Sequence, residues 1–150
     1  MDKLVLYEYL LNQLLDGERL LHEAWLSLLS DNQQEGKSSA GDKHETGAAM
    51  LHLEMEQLGK QLEELKRQRE EVVRWSPENV TAGKRVVMGS LIGTTSGLYY
   101  MITGYGRLNF HSQDVYIIGP SSPMGKALLG KCAGDNFEWG KACGVISSID

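Results

Sequence analysis

The sequence has few cysteines, no long apolar run and little positive charge. These absences exclude several classes of protein. Only two cysteines occur, Cys132 and Cys143, with no CxxC pair and no neighbouring set of four zinc ligands. We expect two reduced thiols in a cytoplasmic protein; a disulfide between them is the alternative. No apolar run approaches the roughly 18 residues of a membrane span. The N-terminus also lacks the basic region and the apolar core of a signal peptide.

Positive charge is sparse as well. The 150 residues carry 15 Lys and Arg against 20 Asp and Glu, a net charge of −5, and contain no dense basic tract. We therefore expect neither nucleic acid as the main partner nor sequence-specific binding to DNA. The charge is also unevenly divided: residues 1–75 hold 9 basic and 15 acidic side chains, whereas residues 76–150 hold 6 and 5. The two halves therefore differ in charge composition.

The first half has helical periodicity. Apolar residues recur at helical spacing from Leu4 to about Ser30, and again in steps of four and three after Gly47. The second run is a heptad seam flanked by Glu, Lys, Arg and Gln. A polar stretch over residues 31–41 separates the two runs. Residues 1–75 are therefore predicted to form an antiparallel coiled-coil hairpin, although the same seam also fits an intermolecular coiled coil.

The second half, residues 76–150, changes to short β-type runs separated by glycines and polar residues. Strands are predicted over 85–88, 98–102, 114–118, 137–139 and 145–146. One short helix interrupts them: Ser122 suits its N-cap, Pro123 its first position and Gly130 the position just past its end. The pattern predicts a small antiparallel sheet with one short helix, an α+β module.

An acidic pair marks the turn of the predicted hairpin. Asp42 and Glu45 are three residues apart at the start of the second helix. One interpretation is a helix-capping pattern favoured by the helix dipole. The other is that both carboxylates point beyond the hairpin and offer two oxygen ligands to Mg²⁺, which accepts one or two carboxylates and keeps several waters. Lys37 and Lys43 flank the pair and are either solubility charges or contacts to phosphates at a nucleic-acid end.

Other motifs are weaker. Residues 125–132 nearly spell a P-loop, but Cys132 stands where a Mg²⁺-binding hydroxyl is needed and the centre is apolar. His44-Glu45 is not followed by the second histidine of a zinc protease. Five aromatic residues of the second half either line a pocket or, as we expect, build most of the core: Tyr99, Tyr100, Tyr105, Phe110 and Trp139.

Together these features resemble the bacterial Gre family of transcript-cleavage factors. Two stretches carry the resemblance in sequence: Gly41-Asp42-x-x-Glu45 at the turn, and Ser122-Pro123-Met124-Gly125-Lys126-Ala127-Leu128-Leu129-Gly130-Lys131 followed by Gly134-Asp135. In architecture the resemblance covers the whole chain. It implies an N-terminal antiparallel coiled coil over 1–75 and an FKBP-like domain over 76–150.

The resemblance also implies a function. Gre factors bind RNA polymerase, insert the coiled coil into its secondary channel and stimulate cleavage of backtracked transcripts. Asp42 and Glu45 are then the residues that act in trans on a Mg²⁺ ion shared with polymerase, near the RNA 3′ end. The second segment implies a partner-binding surface formed by Ser122, Pro123, Gly125, Leu128, Gly130 and Lys131. On this interpretation the chain is no enzyme by itself and holds no cofactor of its own.

Two alternatives stay open. One is a secondary-channel regulator that binds polymerase without stimulating cleavage. The other is a coiled-coil adaptor protein unrelated to transcription. An FKBP-type prolyl isomerase ranks last, since no clear aromatic-lined site is expected on so small a sheet.

Overall fold

The computed structural model describes residues 1–35, 43–81 and 83–150. Two long helices come first, α1 (Lys3–Glu35) and α2 (Lys43–Arg74). They are followed by β1 (Leu91–Thr94), β2 (Gly97–Met101), β3 (Gly106–Phe110), β4 (Gln113–Ile118), α3 (Pro123–Leu128), β5 (Asn136–Trp139) and β6 (Ala142–Ile149). This order, a helical hairpin before a mostly antiparallel sheet with one short helix, confirms the predicted α+β fold.

Residues 13–67 form one of two compact units. A Cβ atom added to Gly17 would lie 3.0 Å from Leu65 Cδ1, while Leu28 and Leu58 line a single cleft. Early residues of α1 therefore face late residues of α2, as an antiparallel seam requires. At 33 residues, α1 is about 50 Å long. None of the helices in the described residues is long and apolar enough to span a membrane.

α1 extends beyond its predicted limit and continues past Ser30 to Glu35. α2 begins at Lys43, beside the acidic pair predicted at its start and before the apolar run that follows Gly47. Polar residues such as Asn and Gln cost a helix only a few tenths of a kcal/mol each, so polarity alone does not end α1. A single internal glycine costs about 1 kcal/mol, which a helix of this length tolerates.

The sheet has the strand order β3-β4-β2-β1-β6-β5. All neighbouring pairs are antiparallel except β2 and β4, which are parallel. Two strands were not predicted, β1 and β3, and residues 85–88 form no strand beyond an isolated bridge between Arg85 and Cys132. β1 contains glycine and threonine, and β3 alternates buried Leu108 and Phe110 with polar residues, so neither forms the apolar run on which the prediction relied.

The second compact unit consists of residues 1–12 and 68–150. Alternation along β2 places Tyr99 and Met101 on the sheet face that α3 covers, in a buried cluster with Met124 and Leu128. Tyr100, between them, belongs to the opposite face. The start of α1 packs there, with the rings of Tyr9 and Phe110 5.2 Å apart.

The end of α2 is tied to the loop between β2 and β3 within the same unit. Gln68 Nε2 donates to the carbonyl oxygen of Gly104 at 2.9 Å, and the buried Thr103 hydroxyl donates to Glu71 Oε2 at 2.5 Å. α2 ends at Arg74, as predicted. The helix ends nevertheless group with the sheet, and the division into domains 1–75 and 76–150 stays a prediction.

Tyr100 offers a test of this packing. Its side chain is fully buried, its hydroxyl has no hydrogen-bond partner among the described residues, and burial raises its pKa. A buried unpaired hydroxyl costs about 1–3 kcal/mol of desolvation. We therefore expect Tyr100→Phe to leave the free energy of unfolding unchanged or to raise it by about 1 kcal/mol. Urea unfolding followed by circular dichroism would measure the change, with half-exposed Tyr116→Phe as the control. A loss above about 1 kcal/mol would show that the hydroxyl is bonded.

Candidate functional site

The start of α3 is built by its own capping residues. Ser122 has extended backbone angles (φ −65°, ψ 154°), and its Oγ accepts a hydrogen bond from the amide of Gly125 at 3.0 Å. The same hydroxyl donates to the carbonyl oxygen of Gly119 at 2.7 Å. Pro123 occupies the first turn, where its missing N–H costs nothing. Gly130, past the C-cap, has φ +80°, which favours glycine. The predicted capping of this helix is confirmed.

Close packing, and not the backbone angles, requires a glycine at position 125. A Cβ atom at this position would overlap the carbonyl oxygen of Gly119 and lie 2.9 Å from Ser122 Oγ. The near-P-loop therefore folds as a capped helix, as its apolar centre indicated. At its end, the amide of Cys132 donates to Asp135 Oδ2 at 2.7 Å. Cys132 and Cys143 are both free.

The six predicted partner-binding residues differ in how exposed they are to solvent. Pro123 and Gly130 are exposed, and Ser122 and Lys131 are partly exposed. By contrast, Gly125 is buried and Leu128 is completely buried in the core beneath α3. A partner can reach the first four without rearrangement, whereas the other two support the segment from inside. Their role in binding stays a prediction.

A pocket opens beside the start of α3. We call it the aromatic pocket; its volume is about 370 Å³, and it is lined by Tyr99, Tyr116, Trp139, Ile118, Pro123, Met124, Ser96 and Ser122. The expectation that the sheet has no clear aromatic-lined site is thus wrong. The pocket brings the capping pair Ser122-Pro123 next to aromatic side chains from three different strands.

Strand pairing explains the pocket wall. Parallel pairing of β2 with β4 sets Tyr99 opposite Tyr116, and their rings stack with centroids 5.4 Å apart and planes 28° apart. Trp139 reaches the pocket from β5 and remains 47% exposed. Of the five aromatic residues considered from the sequence, Tyr99 and Trp139 line the pocket, whereas Tyr100 and Phe110 are buried elsewhere. The fifth, Tyr105, is partly exposed and does not line the pocket.

Four of the lining residues were not predicted from the sequence: Ser96, Tyr116, Ile118 and Met124. A signal was present for two of them, because alternation along β4 puts Tyr116 and Ile118 on the face opposite Val115 and Ile117. The parallel partner of β4 could not be read from that alternation.

The aromatic pocket is electrically neutral. None of its eight lining residues carries a formal charge. Burial, and to a smaller extent the neighbouring Tyr116, raise the pKa of Tyr99. Its hydroxyl therefore stays protonated at neutral pH and is available as a hydrogen-bond donor.

The structure describes only part of the segment that carries the acidic pair. Asp42 and Lys37 lie outside the described residues. Lys43 and Glu45 fall in the first turns of α2, but their side chains also lie outside the described part. Whether the two carboxylates share one face stays a prediction. Within the described ranges, no group of three or more His, Cys, Asp or Glu side chains is placed to hold a metal ion.

Comparison with known proteins found similar solved structures only. A structure of the transcription factor Gfh1 is 18% identical, with 93% of this chain and 92% of that one covered and a TM-score of 0.37. GreA factor homolog 1 (Gfh1) of Thermus thermophilus is 16% identical over 93% and 94% of the two chains (TM-score 0.35). Gfh1 of Thermus aquaticus is 15% identical over 92% of each (TM-score 0.34).

No family model matches the sequence, and no curated protein does. A helical hairpin comes first, followed by a six-stranded, mostly antiparallel sheet with one short helix. This is the architecture that the resemblance to the Gre family implies.

Proposed function

We propose that this chain is a transcription factor that binds RNA polymerase in the cytoplasm. It inserts its helical hairpin into the secondary channel and stimulates cleavage of backtracked transcripts. The supporting observation is the hairpin itself: residues 13–67 form a compact unit of two antiparallel helices, and the chain joining them carries Asp42. The part of α1 in this unit, residues 13–35, is about 35 Å long, and such an element suits delivery of a few side chains into a deep, narrow channel.

The proposed metal chemistry follows from two carboxylates near the turn. Asp42 and Glu45 supply carboxylate oxygens, the hard ligands that Mg²⁺ prefers, and a pair of them leaves coordination positions for water and for carboxylates of polymerase. Bound Mg²⁺ would stabilise the charge that develops on the attacking and leaving oxygens. This chain would contribute ligands and position a water, and it would have no nuclease activity alone. Lys43 lies between the two acids in sequence and Lys37 lies five residues before Asp42, and both are suited to phosphates at the RNA 3′ end.

A backtracked elongation complex of the cognate polymerase would test this proposal. We expect the protein to accelerate transcript shortening. We expect Asp42→Asn with Glu45→Gln to lower the stimulated rate by at least roughly 10- to 100-fold, because loss of even the groups that support metal ligands typically costs that much. Co-elution with polymerase should persist in this double variant, because the partner-binding surface is predicted elsewhere.

A matched control removes two carboxylates without touching the turn. Asp16 and Glu23 form exposed ion pairs with Arg19 on α1, so Asp16→Asn with Glu23→Gln neutralises the same charge at little cost in stability. This control should cleave like the unaltered protein. Cleavage that is unaffected by the protein, or equally strong with the turn variant, would refute the proposal. Polymerase binding without cleavage would favour the regulator, and failure to recover any polymerase subunit would favour the adaptor.

A further inference from the structure

A groove runs along the helical hairpin between α1 and α2. We call it the hairpin groove; its volume is about 430 Å³. Its lining residues come from both helices, among them Ala24, Ser27, Leu28, Glu54, Gln57 and Leu58. All of them belong to the compact unit of residues 13–67. The groove is therefore a feature of the hairpin alone.

The apolar seam beneath this groove is incompletely covered. Leu28 and Leu58 remain partly exposed, and Leu14 is the one buried side chain among the described residues between 13 and 67. Covering such apolar surface favours association through the hydrophobic effect. An amphipathic helix laid in a groove covers it with apolar residues spaced three and four apart. A third helix would therefore complete the seam that two helices leave open.

Helical spacing extends both walls of the groove. Leu20 precedes Ala24 by four residues, which places it on the α1 wall, and its side chain is 58% exposed. Met50 precedes Glu54 by four residues on the α2 wall, and its side chain is 62% exposed. Because early residues of α1 face late residues of α2, Met50 lies nearer the hairpin turn and Leu20 lies farther from it. Exposed apolar side chains thus stand at both ends of the groove.

The charge of the hairpin discriminates between possible occupants. Glu54 lines the groove, and Asp31 lies on the α1 wall, four residues after Ser27. Neither carboxylate has an ion-pair partner among the described residues. Residues 13–67 carry 11 acidic and 6 basic side chains. A second copy of the hairpin would therefore bring like charge to the groove, whereas a basic helix brings opposite charge.

We propose that the hairpin groove binds an amphipathic helix of a partner protein, one whose apolar stripe is flanked by lysine or arginine. The stripe covers Leu28 and Leu58, and the basic side chains beside it pair with Glu54 and Asp31. This inference goes beyond the proposed function, because the groove needs neither polymerase nor the acidic pair at the hairpin turn.

Titration of the full chain with a blocked helical peptide, followed by NMR, would test the proposal. The peptide carries leucine in steps of three and four, lysine beside the leucines and alanine elsewhere. We expect saturable shifts of the amide signals of Ala24, Ser27 and Gln57, and an affinity that falls as the salt concentration rises. Leu20→Ala and Met50→Ala should each weaken binding roughly tenfold, because each removes apolar area at one end of the groove.

The charge contribution has its own variant and control. Asp31→Asn with Glu54→Gln should weaken binding roughly fivefold and reduce its salt dependence. Glu63→Gln with Glu70→Gln neutralises two exposed carboxylates of α2 that do not line the groove, and it should leave the affinity unchanged. Leu26→Ala, at a leucine that is 46% exposed outside the groove, should do the same. All substituted side chains are exposed, so these variants are expected to fold, and thermal unfolding would verify it.

Two control peptides complete the test, one of the same composition in an order without an apolar stripe and one with glutamate in place of lysine. Equal binding of either would overturn the proposal, as would shifts that are absent or confined to residues outside the groove. If the signals of Ala24 and Ser27 instead moved with protein concentration before any peptide was added, a second copy would occupy the groove and the proposal would be wrong. Because the titration contains no polymerase, its outcome is separate from that of the cleavage experiment.

Discussion

Gly125→Ala is expected to lower the free energy of unfolding by about 3 kcal/mol or more, at the upper end of what overpacking costs. The added methyl group would overlap the carbonyl oxygen of Gly119, a backbone atom that cannot rotate away. Relief requires the start of α3 to move from the loop after β4, which would break the hydrogen bonds of Ser122 to Gly119 and Gly125. Loss of an N-cap alone costs about 1 kcal/mol.

Gly59→Ala is the matched control. Gly59 lies within α2, and a Cβ atom there meets nothing within 4 Å. The same chemical change should therefore raise stability by about 0.5–1 kcal/mol, through helix propensity alone. Urea unfolding of both variants, followed by circular dichroism, would measure the two changes. If Gly125→Ala proved as harmless as Gly59→Ala, the tight packing at the start of α3 would be wrong.

Leu128→Ala is expected to cost about 2–5 kcal/mol, the range for removing a fully buried leucine. Leu128 is 0% exposed and packs in the cluster that contains Met124 and Phe137. Its truncation removes buried apolar area and leaves a cavity that the sheet beneath α3 cannot fully close.

The adjacent Leu129 provides the control, because it is 45% exposed. Leu129→Ala should change the free energy of unfolding by no more than about 0.5 kcal/mol. The two variants, compared in the same denaturant series, separate a core role from a surface role in one short segment. Equal costs would contradict the burial that the structure assigns. A large loss at Leu128 alone would mean that any weakened partner binding in that variant first needs a folding explanation.

The elements predicted well from local sequence have either a long periodic pattern or residues with a recognised capping role. Apolar residues occupy six of the seven seam positions from Leu51 to Val72, all except Arg69, so the helix and its apolar face followed from spacing. The short α3 followed from Ser122, Pro123 and Gly130, each of which has a capping role that depends on near neighbours only.

The strands were predicted less well, because their partners are distant in sequence. β1 lies inside the sheet between β2 and β6, yet contains Gly93, which weakens its strand signal. A Cβ atom at Gly93 would lie 2.5 Å from Ser148 Oγ on the neighbouring strand β6, so a larger residue there would require the Ser148 side chain to move. The run at 85–88 has β propensity but only one bridge partner. Propensity without a neighbouring strand does not make a strand.

The sequence by itself determined the helical hairpin, the capped helix α3 and the acidic pair that motivates the proposed function. All of these depend on residues within a few turns of each other, or on charge that can be counted. Only the tertiary structure decided that Leu128 and Gly125 are internal. It also placed Tyr99, Tyr116 and Trp139, from three strands, around one neutral pocket. Such neighbours arise from the parallel pairing of β2 with β4 and from the packing of α3 on the sheet, which no local pattern encodes.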